Sequence, residues 1–261
     1  MFFFAGHPPH HFMIELQHIS KTFNKGSANE VRALTDINLT LQAGDFLVLV
    51  GSNGSGKSTL LQALAGSVTV DSGQVLIDNK EVTHLAEYER SNWIARIFQN
   101  PLAGTAPDLS VLDNFRLAAL RTTTKQIKIG ITPAFKKEVQ EKIALLNMGL
   151  ETKLDQPMGD LSGGQRQALT LIMAIMDTTK ILILDEPTAA LDPKSANTLM
   201  EKADAIVKEF KITALLVTHS LKDAHTYGNR LIQMEEGKMI KDLNAAEKKS
   251  LTLPQLFEWF T

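Results

Sequence analysis

The chain has 261 residues, 44% apolar and 21% charged, with 27 Lys and Arg against 29 Asp and Glu for a net charge of −2. That balance describes a globular chain with a full hydrophobic core, excludes an intrinsically disordered one, and leaves no electrostatic footprint for nucleic acid or an anionic membrane. The absence of cysteine excludes disulfides and thiol chemistry and fits a reducing cytoplasm.

The first twelve residues, "MFFFAGHPPHHF", lack a basic leader region and are interrupted early by proline, so they read poorly as a signal peptide. Met13 is the more natural start. Residues 1–12 are expected to be a floppy extension, with His7, His10 and His11 better explained as tail residues than as a metal site. From there "MIELQHISKTF" (13–23) and "ALTDINLTLQAGDF" (33–46) alternate as strands, with a turn at Ala43-Gly44-Asp45. "FLVLV" (46–50) is apolar without interruption, as a strand buried on both faces must be. It and 171–176, among the longest apolar stretches, fall far short of the roughly 18 to 20 residues that span a bilayer.

"GSNGSGKST" (51–59) follows that strand and opens a helix. Gly51, Gly54 and Gly56 let successive backbone N–H groups of Gly51, Ser52, Asn53, Gly54, Ser55 and Gly56 turn inward as an anion nest. Lys57 supplies a mobile cation, the Ser58 hydroxyl can ligate Mg²⁺, and the helix start through Thr59 adds its positive end. The G-x-x-x-x-G-K-S spacing arises by chance in only about one chain of this length in a hundred. A nucleoside triphosphate is what such a loop holds.

Further on, "GQVLIDNKEV" (73–82) predicts a strand bending at Asp78-Asn79, and the apolar "WIARIF" (93–98) ends at Gln99. A helical pattern runs from about 111 to 178. Within it, Thr132-Pro133 starts a helix whose Phe135, Val139, Ile143 and Leu146 share one face. "LSGGQRQ" (161–167) places Ser162 as a cap and Gly163, Gly164 and Gln165 at a second helix start able to receive an anion. "ILILDEP" (181–187) carries Asp185, suited to hold Mg²⁺ through water, and Glu186, suited to polarise an attacking water. A helix over 192–210, a strand over 212–220 bearing His219, a hairpin over 230–243 around Glu236-Gly237 and a short amphipathic helix in "LPQLFEWF" complete the chain.

Strands alternating with helices predict an α/β fold with a wound, mainly parallel sheet, in which ligands bind beyond the strands' carboxyl ends. Lys57, Gln99, Glu186 and His219 each follow an apolar segment, so parallel neighbours would gather them at one edge. Two phosphate-receiving helix starts so far apart in sequence suggest a two-fold dimer, each copy offering its second site to the nucleotide of the other, although a second site acting in cis stays open.

Taken in order, "GSNGSGKST", "FQNP", "LSGGQRQ", "ILILDEP", "AALDP" (189–193) and "VTHS" (217–220) resemble the ATP-binding subunit of an ABC transporter over residues 13–243. The resemblance implies the ABC ATPase fold: a P-loop NTPase sheet, an N-terminal antiparallel β subdomain, and a helical subdomain at about 103–178 inserted into a single domain spanning 13–261. It further implies ATP and Mg²⁺ as ligands, Phe23 stacked on adenine, Gln99 beside the γ-phosphate and, with Ser58 and Asp185, the metal, and Asp192 acting across a homodimer. Ala189-Ala190 departs from the Ser with which the family's D-loop often begins, which removes a hydroxyl contact. The stretches "ALTLIMAIM" (168–176) and "QNPLAGTAPDLSVLDNF" (99–115) resemble a subgroup of standalone ATPase subunits of bacterial importers. Such subunits serve an integral membrane permease fed by an extracytoplasmic solute-binding protein. The implied cargo is an amino-acid-like solute, and the implied location is the cytoplasmic face of the membrane. The alternatives are an exporter ATPase, a soluble ABC-type ATPase of translation or DNA repair, and a P-loop kinase. The single cassette weighs against a translation ATPase, the lack of a sustained heptad against a repair ATPase, and "LSGGQ" against a kinase.

Overall fold

The computed structural model describes residues 13–121, 130–177 and 179–260; residues 1–12, with their three histidines, lie outside the described residues. In chain order the elements are β1 (Met13–Phe23), β2 (Val31–Gln42), β3 (Phe46–Val50), α1 (Lys57–Ala65), β4 (Ser72–Ile77), β5 (Lys80–Glu81), α2 (Glu87–Arg90) and β6 (Ile94–Ile97). There follow α3 (Val111–Ala118), α4 (Pro133–Ala144), α5 (Gly163–Ala174), β7 (Ile181–Asp185), α6 (Pro193–Glu209), β8 (Thr213–Val217) and α7 (Leu221–Thr226). The last elements are β9 (Arg230–Glu235), β10 (Lys238–Leu243), α8 (Ala245–Ser250) and α9 (Leu253–Phe257).

Two sheets form. One is antiparallel, ordered β2-β1-β4-β5; the other is ordered β10-β9-β3-β8-β7-β6, parallel from β9 to β6 with β10 antiparallel at its edge. The unbroken apolarity of β3 has its cause here. Leu47 and Leu49 face a core shared with α1 and the antiparallel sheet, while Phe46, Val48 and Val50 face a second core under the helices. β7 and β8 divide in the same way: Ile183 and Val217 face the first core, Leu184 and Leu216 the second. Period-two alternation thus sends every second side chain to a different hydrophobic layer.

The bends follow their residues. Asp78 and Asn79 both take positive φ, 53° and 62°, as do Glu236 and Gly237 at 46° and 75°, the geometry of a two-residue hairpin turn. α3, α4 and α5 lie in the connection between β6 and β7. The continuous helical pattern expected from 111 is interrupted. Asn147 and Gly149 adopt positive φ, Pro157 follows, and the chain makes short 3-10 turns at Leu150–Thr152 and Met158–Asp160. Thr132 caps α4 by accepting from the Phe135 N–H at 3.2 Å, with Pro133 at the first turn. Val139, Ile143 and Leu146 are fully buried as their spacing implies, although Leu146 lies beyond the helix end and Phe135 only packs against the core's rim.

Candidate nucleotide site

β3 delivers the chain into the glycine loop and α1 carries it away. Gly51 and Gly56 have φ of 151° and 101°, and a Cβ on them would lie 2.2 Å from the Met234 carbonyl oxygen and 2.3 Å from that of Ala33. Backbone approaches this close admit only glycine. Gly56 stands at the N-cap of α1 with no side chain accepting from the first turn, so that turn's N–H groups remain donors for an anion. The Lys57 side chain is buried and folds back over the loop, its Nζ donating to Gly51 O at 2.8 Å, Ser52 O at 2.9 Å and Ser55 Oγ at 3.3 Å. Burial pulls this ammonium below the ordinary lysine value, and the charges of Glu186 and Asp185 pull it back up.

Across from the loop, β7 and β8 end side by side, Asp185 in register with Val217. The chain leaving β7 takes φ 48° at Glu186, a conformation unfavourable for a residue with a Cβ, while the Glu186 N–H donates to Val217 O at 3.0 Å. His219, just past β8, meets this carboxylate with Nε2 2.7 Å from Glu186 Oε1. Residues Asn53 to Thr59, Glu186, His219 and Phe23 line one cavity of about 270 Å³. Three of the four residues expected at the sheet's carboxyl edge, Lys57, Glu186 and His219, therefore meet there, and Phe23 stands beside them.

The other expected residues lie elsewhere. Gln99 follows β6 but is exposed and does not line the cavity. Ser162, Gly163, Gly164 and Gln165 open α5 away from the cavity, with Ser162 Oγ accepting from the Gln165 N–H at 3.3 Å. Gly164 meets α6 so closely that a Cβ would lie 2.9 Å from Ser195 Cβ. Asp192 also lies outside the cavity and caps α6, accepting from the N–H groups of Lys194 and Ser195 at 3.1 and 3.0 Å. The Ser195 side chain, and after it the capping N–H groups, hold its carboxyl below the usual aspartate range against the opposing effect of burial.

Two residues of consequence escaped the sequence reading. Gln167 is buried and its Nε2 donates to Phe98 O at 2.8 Å and Pro187 O at 3.1 Å, tying α5 to the segments before Gln99 and after Glu186. Its place in a polar stretch carried no signal. Arg96 pairs with Asp185, Nη2 to Oδ2 at 2.8 Å; the signal here was a charged residue inside the apolar "WIARIF".

Among the described residues no group of three or more His, Cys, Asp or Glu side chains converges. The oxygen donors present, the Ser58 hydroxyl at the start of α1 and the Asp185 carboxylate at the end of β7, fit Mg²⁺, which keeps several waters and takes phosphate oxygens alongside one or two protein ligands. A phosphate cradle, a lysine, a strand-end acid pair and a histidine on the second acid equip the site for phosphoryl transfer to water. Fold and site together define a P-loop nucleoside-triphosphatase.

The family model for ABC transporters matches residues 34–189, more than half of the chain. The chain is 38% identical to a tyrosine transport ATP-binding protein of Clostridioides difficile over 248 residues, covering 95% of this chain and 98% of that protein. It is 31% identical over 252 residues to a phosphonates import ATP-binding protein of Lactococcus lactis, covering 94% and 98%. Among solved structures it superposes with TM-score 0.75 and 26% identity on the ATP-binding cassette MJ0796, a dimer bound to ADP and Pi in a post-hydrolysis state, covering 89% of this chain and 98% of that one. The chain belongs to the ABC transporter family, as one of its ATP-binding, ATP-hydrolysing subunits.

Proposed function

We propose that this chain powers the uptake of a small amino-acid-like solute by closing as a homodimer around two MgATP and driving a separate membrane permease. The observation that carries the dimer is the separation of two complementary half-sites. The phosphate loop, Glu186 and His219 line one cavity, and the Ser162–Gln165 helix start, expected from the sequence to receive an anion, does not reach it. A second copy arranged head to tail supplies to each cavity what its own chain holds elsewhere. The dimeric cassette MJ0796 supports this arrangement, and the tyrosine transport relative supports the solute class.

In the closed site the first-turn N–H groups of α1 and Lys57 bind the phosphates, and Phe23 stacks against the base. Ser58 and Asp185, with Gln99, would hold Mg²⁺, which when bound would neutralise charge on the phosphate oxygens. Glu186 orients the attacking water and accepts its proton, while His219 fixes the Glu186 carboxylate and, with Gln99, senses the γ-phosphate. Asp192 and the Ser162–Gln165 turn act across the dimer.

The region around Gln99–Asn114, which bridges the core and the helical subdomain beside a groove of about 830 Å³ lined by Tyr88, Asn114, Leu117, Arg121 and Met173 among others, is the surface for the permease. Tyr88 and Leu117 there are exposed, and no helix among the described residues is long and apolar enough to cross a membrane. The subunit works peripherally on the cytoplasmic face, and an extracytoplasmic binding protein reaches it only through the permease. The test uses Glu186→Gln, which should cut turnover by roughly 10² to 10⁴ while sparing ATP binding. Light scattering with MgATP should show that variant as a dimer. A strict monomer, even with the permease present, would refute the proposal.

A further inference from the structure

Arg96 stands where the sheet calls for an apolar side chain. It is the third residue of β6, opposite Ile183, and by strand alternation shares a face with Ile94, which packs with Ile181 and Ile183 in the core under α1. Its side chain is only 11% exposed. The guanidinium lies 4.7 Å from the centre of the Phe98 ring, and Nη1 reaches Ser67 Oγ at 3.4 Å and Glu87 Oε1 at 4.0 Å. Its Nε is buried without a hydrogen-bond partner. Keeping a charged group here with one donor unsatisfied is less stable than filling the place with an aliphatic residue. Packing alone does not account for it.

Its one close ionic contact does. Nη2 donates to Asp185 Oδ2 at 2.8 Å, from the edge-strand side, and the Asp185 side chain is itself only 15% exposed. Among the described residues no other hydrogen bond is made to this carboxylate, so its orientation rests on Arg96 while Oδ1 is left available. Asp185 lies on the α1 side of the sheet, the side from which Ser58 comes.

We propose that Arg96 is a positioning residue of the metal site: it anchors the Asp185 carboxylate through Oδ2 so that Oδ1 is presented to the divalent cation that arrives with the nucleotide. This rests on the reading of Asp185 as the acid that holds Mg²⁺. Residues that orient a metal-binding carboxylate set affinity by about 10- to 100-fold. Contact with Asp185 is through a single nitrogen, so a lysine can replace it in part, whereas a neutral side chain cannot.

The experiment titrates the full chain with Mn²⁺ in the presence of a non-hydrolysable ATP analogue, following free Mn²⁺ by EPR, for wild type, Arg96→Met, Arg96→Lys and Asp185→Asn. Thermal unfolding and analogue binding in EDTA are measured alongside. The expected result is Mn²⁺ affinity weakened about 10-fold or more in Arg96→Met and restored to within about 3-fold of wild type in Arg96→Lys, with metal-free analogue binding unchanged. Should Arg96→Met fail to fold, Arg96→Gln, which keeps a polar donor without charge, takes its place with the same expectation. Unchanged or tighter Mn²⁺ binding in the neutral variant overturns the proposal. If Asp185→Asn weakens Mn²⁺ binding and the Arg96 variants do not, only the role of Arg96 falls. If Asp185→Asn also binds Mn²⁺ normally, the metal reading of Asp185 falls and the proposal falls with it.

Discussion

Replacing Arg90 by Met removes a buried cation whose work is done entirely on backbone. Arg90 is 1% exposed and donates from Nε to Leu85 O at 3.0 Å, from Nη1 to Ala63 O and Leu64 O at 2.7 Å each, and from Nη2 to Thr83 O at 2.8 Å. Two of these carbonyls belong to the last turn of α1, which ends at Gly66 with its negative pole facing the guanidinium. Burial lowers the Arg90 pKa to about 10, which still leaves it charged at neutral pH. Four charge-assisted bonds at about 1.5 to 3 kcal/mol each give a gross stabilisation of roughly 6 to 12 kcal/mol. Desolvating the cation costs several kcal/mol, so the net loss on truncation is about 3 to 5 kcal/mol, typical of breaking a buried charged contact. At about 2 to 4 °C per kcal/mol for a domain near this size, the melting temperature should fall by roughly 6 to 20 °C, read by circular dichroism at 222 nm. Arg90→Lys, with three donors on one nitrogen, should recover less than half of that loss. A shift under about 2 °C in Arg90→Met would show that water satisfies these carbonyls and that α1 is not pinned from this end.

Gly56→Ala places a Cβ 2.3 Å from a backbone oxygen at a positive φ, so fluorescent-nucleotide titration should show affinity down at least about 10-fold, and normal affinity would refute the packing argument. The last prediction concerns pH. Lys248 is buried, donates to Tyr227 O and Gly228 O, and burial lowers its pKa to about 8. The unfolded chain, with an ordinary lysine near 10.5, binds more protons between those two values, so this residue makes stability rise with pH from about 8 to 10.5, by at most roughly 3 kcal/mol. The carbonyl acceptors favour the ammonium and trim that figure. Urea unfolding of wild type against Lys248→Met at pH 7.5 and 10 should move in favour of wild type as pH rises; a pH-independent difference would contradict it.

What could be read from the chain divides by range. The glycine loop is a local device: the spacing of Gly51, Gly56, Lys57 and Ser58 fixes both its geometry and its chemistry, and the flanking β3 and α1 follow from composition. Strand ends were legible for the same reason, since Asp185-Glu186 and His219 mark where apolar runs stop. The contact between His219 and Glu186 was not, because it requires β7 and β8 to be neighbours in a particular register. Gln99 shows the limit of edge arguments: its strand ends at the right edge, but β6 is the outermost strand and the side chain does not line the cavity. Arg90 sits in "YERSN", polar by every local measure, and is nevertheless almost wholly enclosed, because it reaches the end of α1, whose Ala63 and Leu64 lie 27 and 26 residues back in the chain, beyond any local window of sequence.

The ammonium of Lys57 already meets three oxygens of its own loop. A phosphate binding there, as proposed, would not claim an idle charge; it would have to displace neutral acceptors and put anionic ones in their place. Such a balance suits a motor subunit, for which letting go of spent nucleotide matters as much as taking up the next.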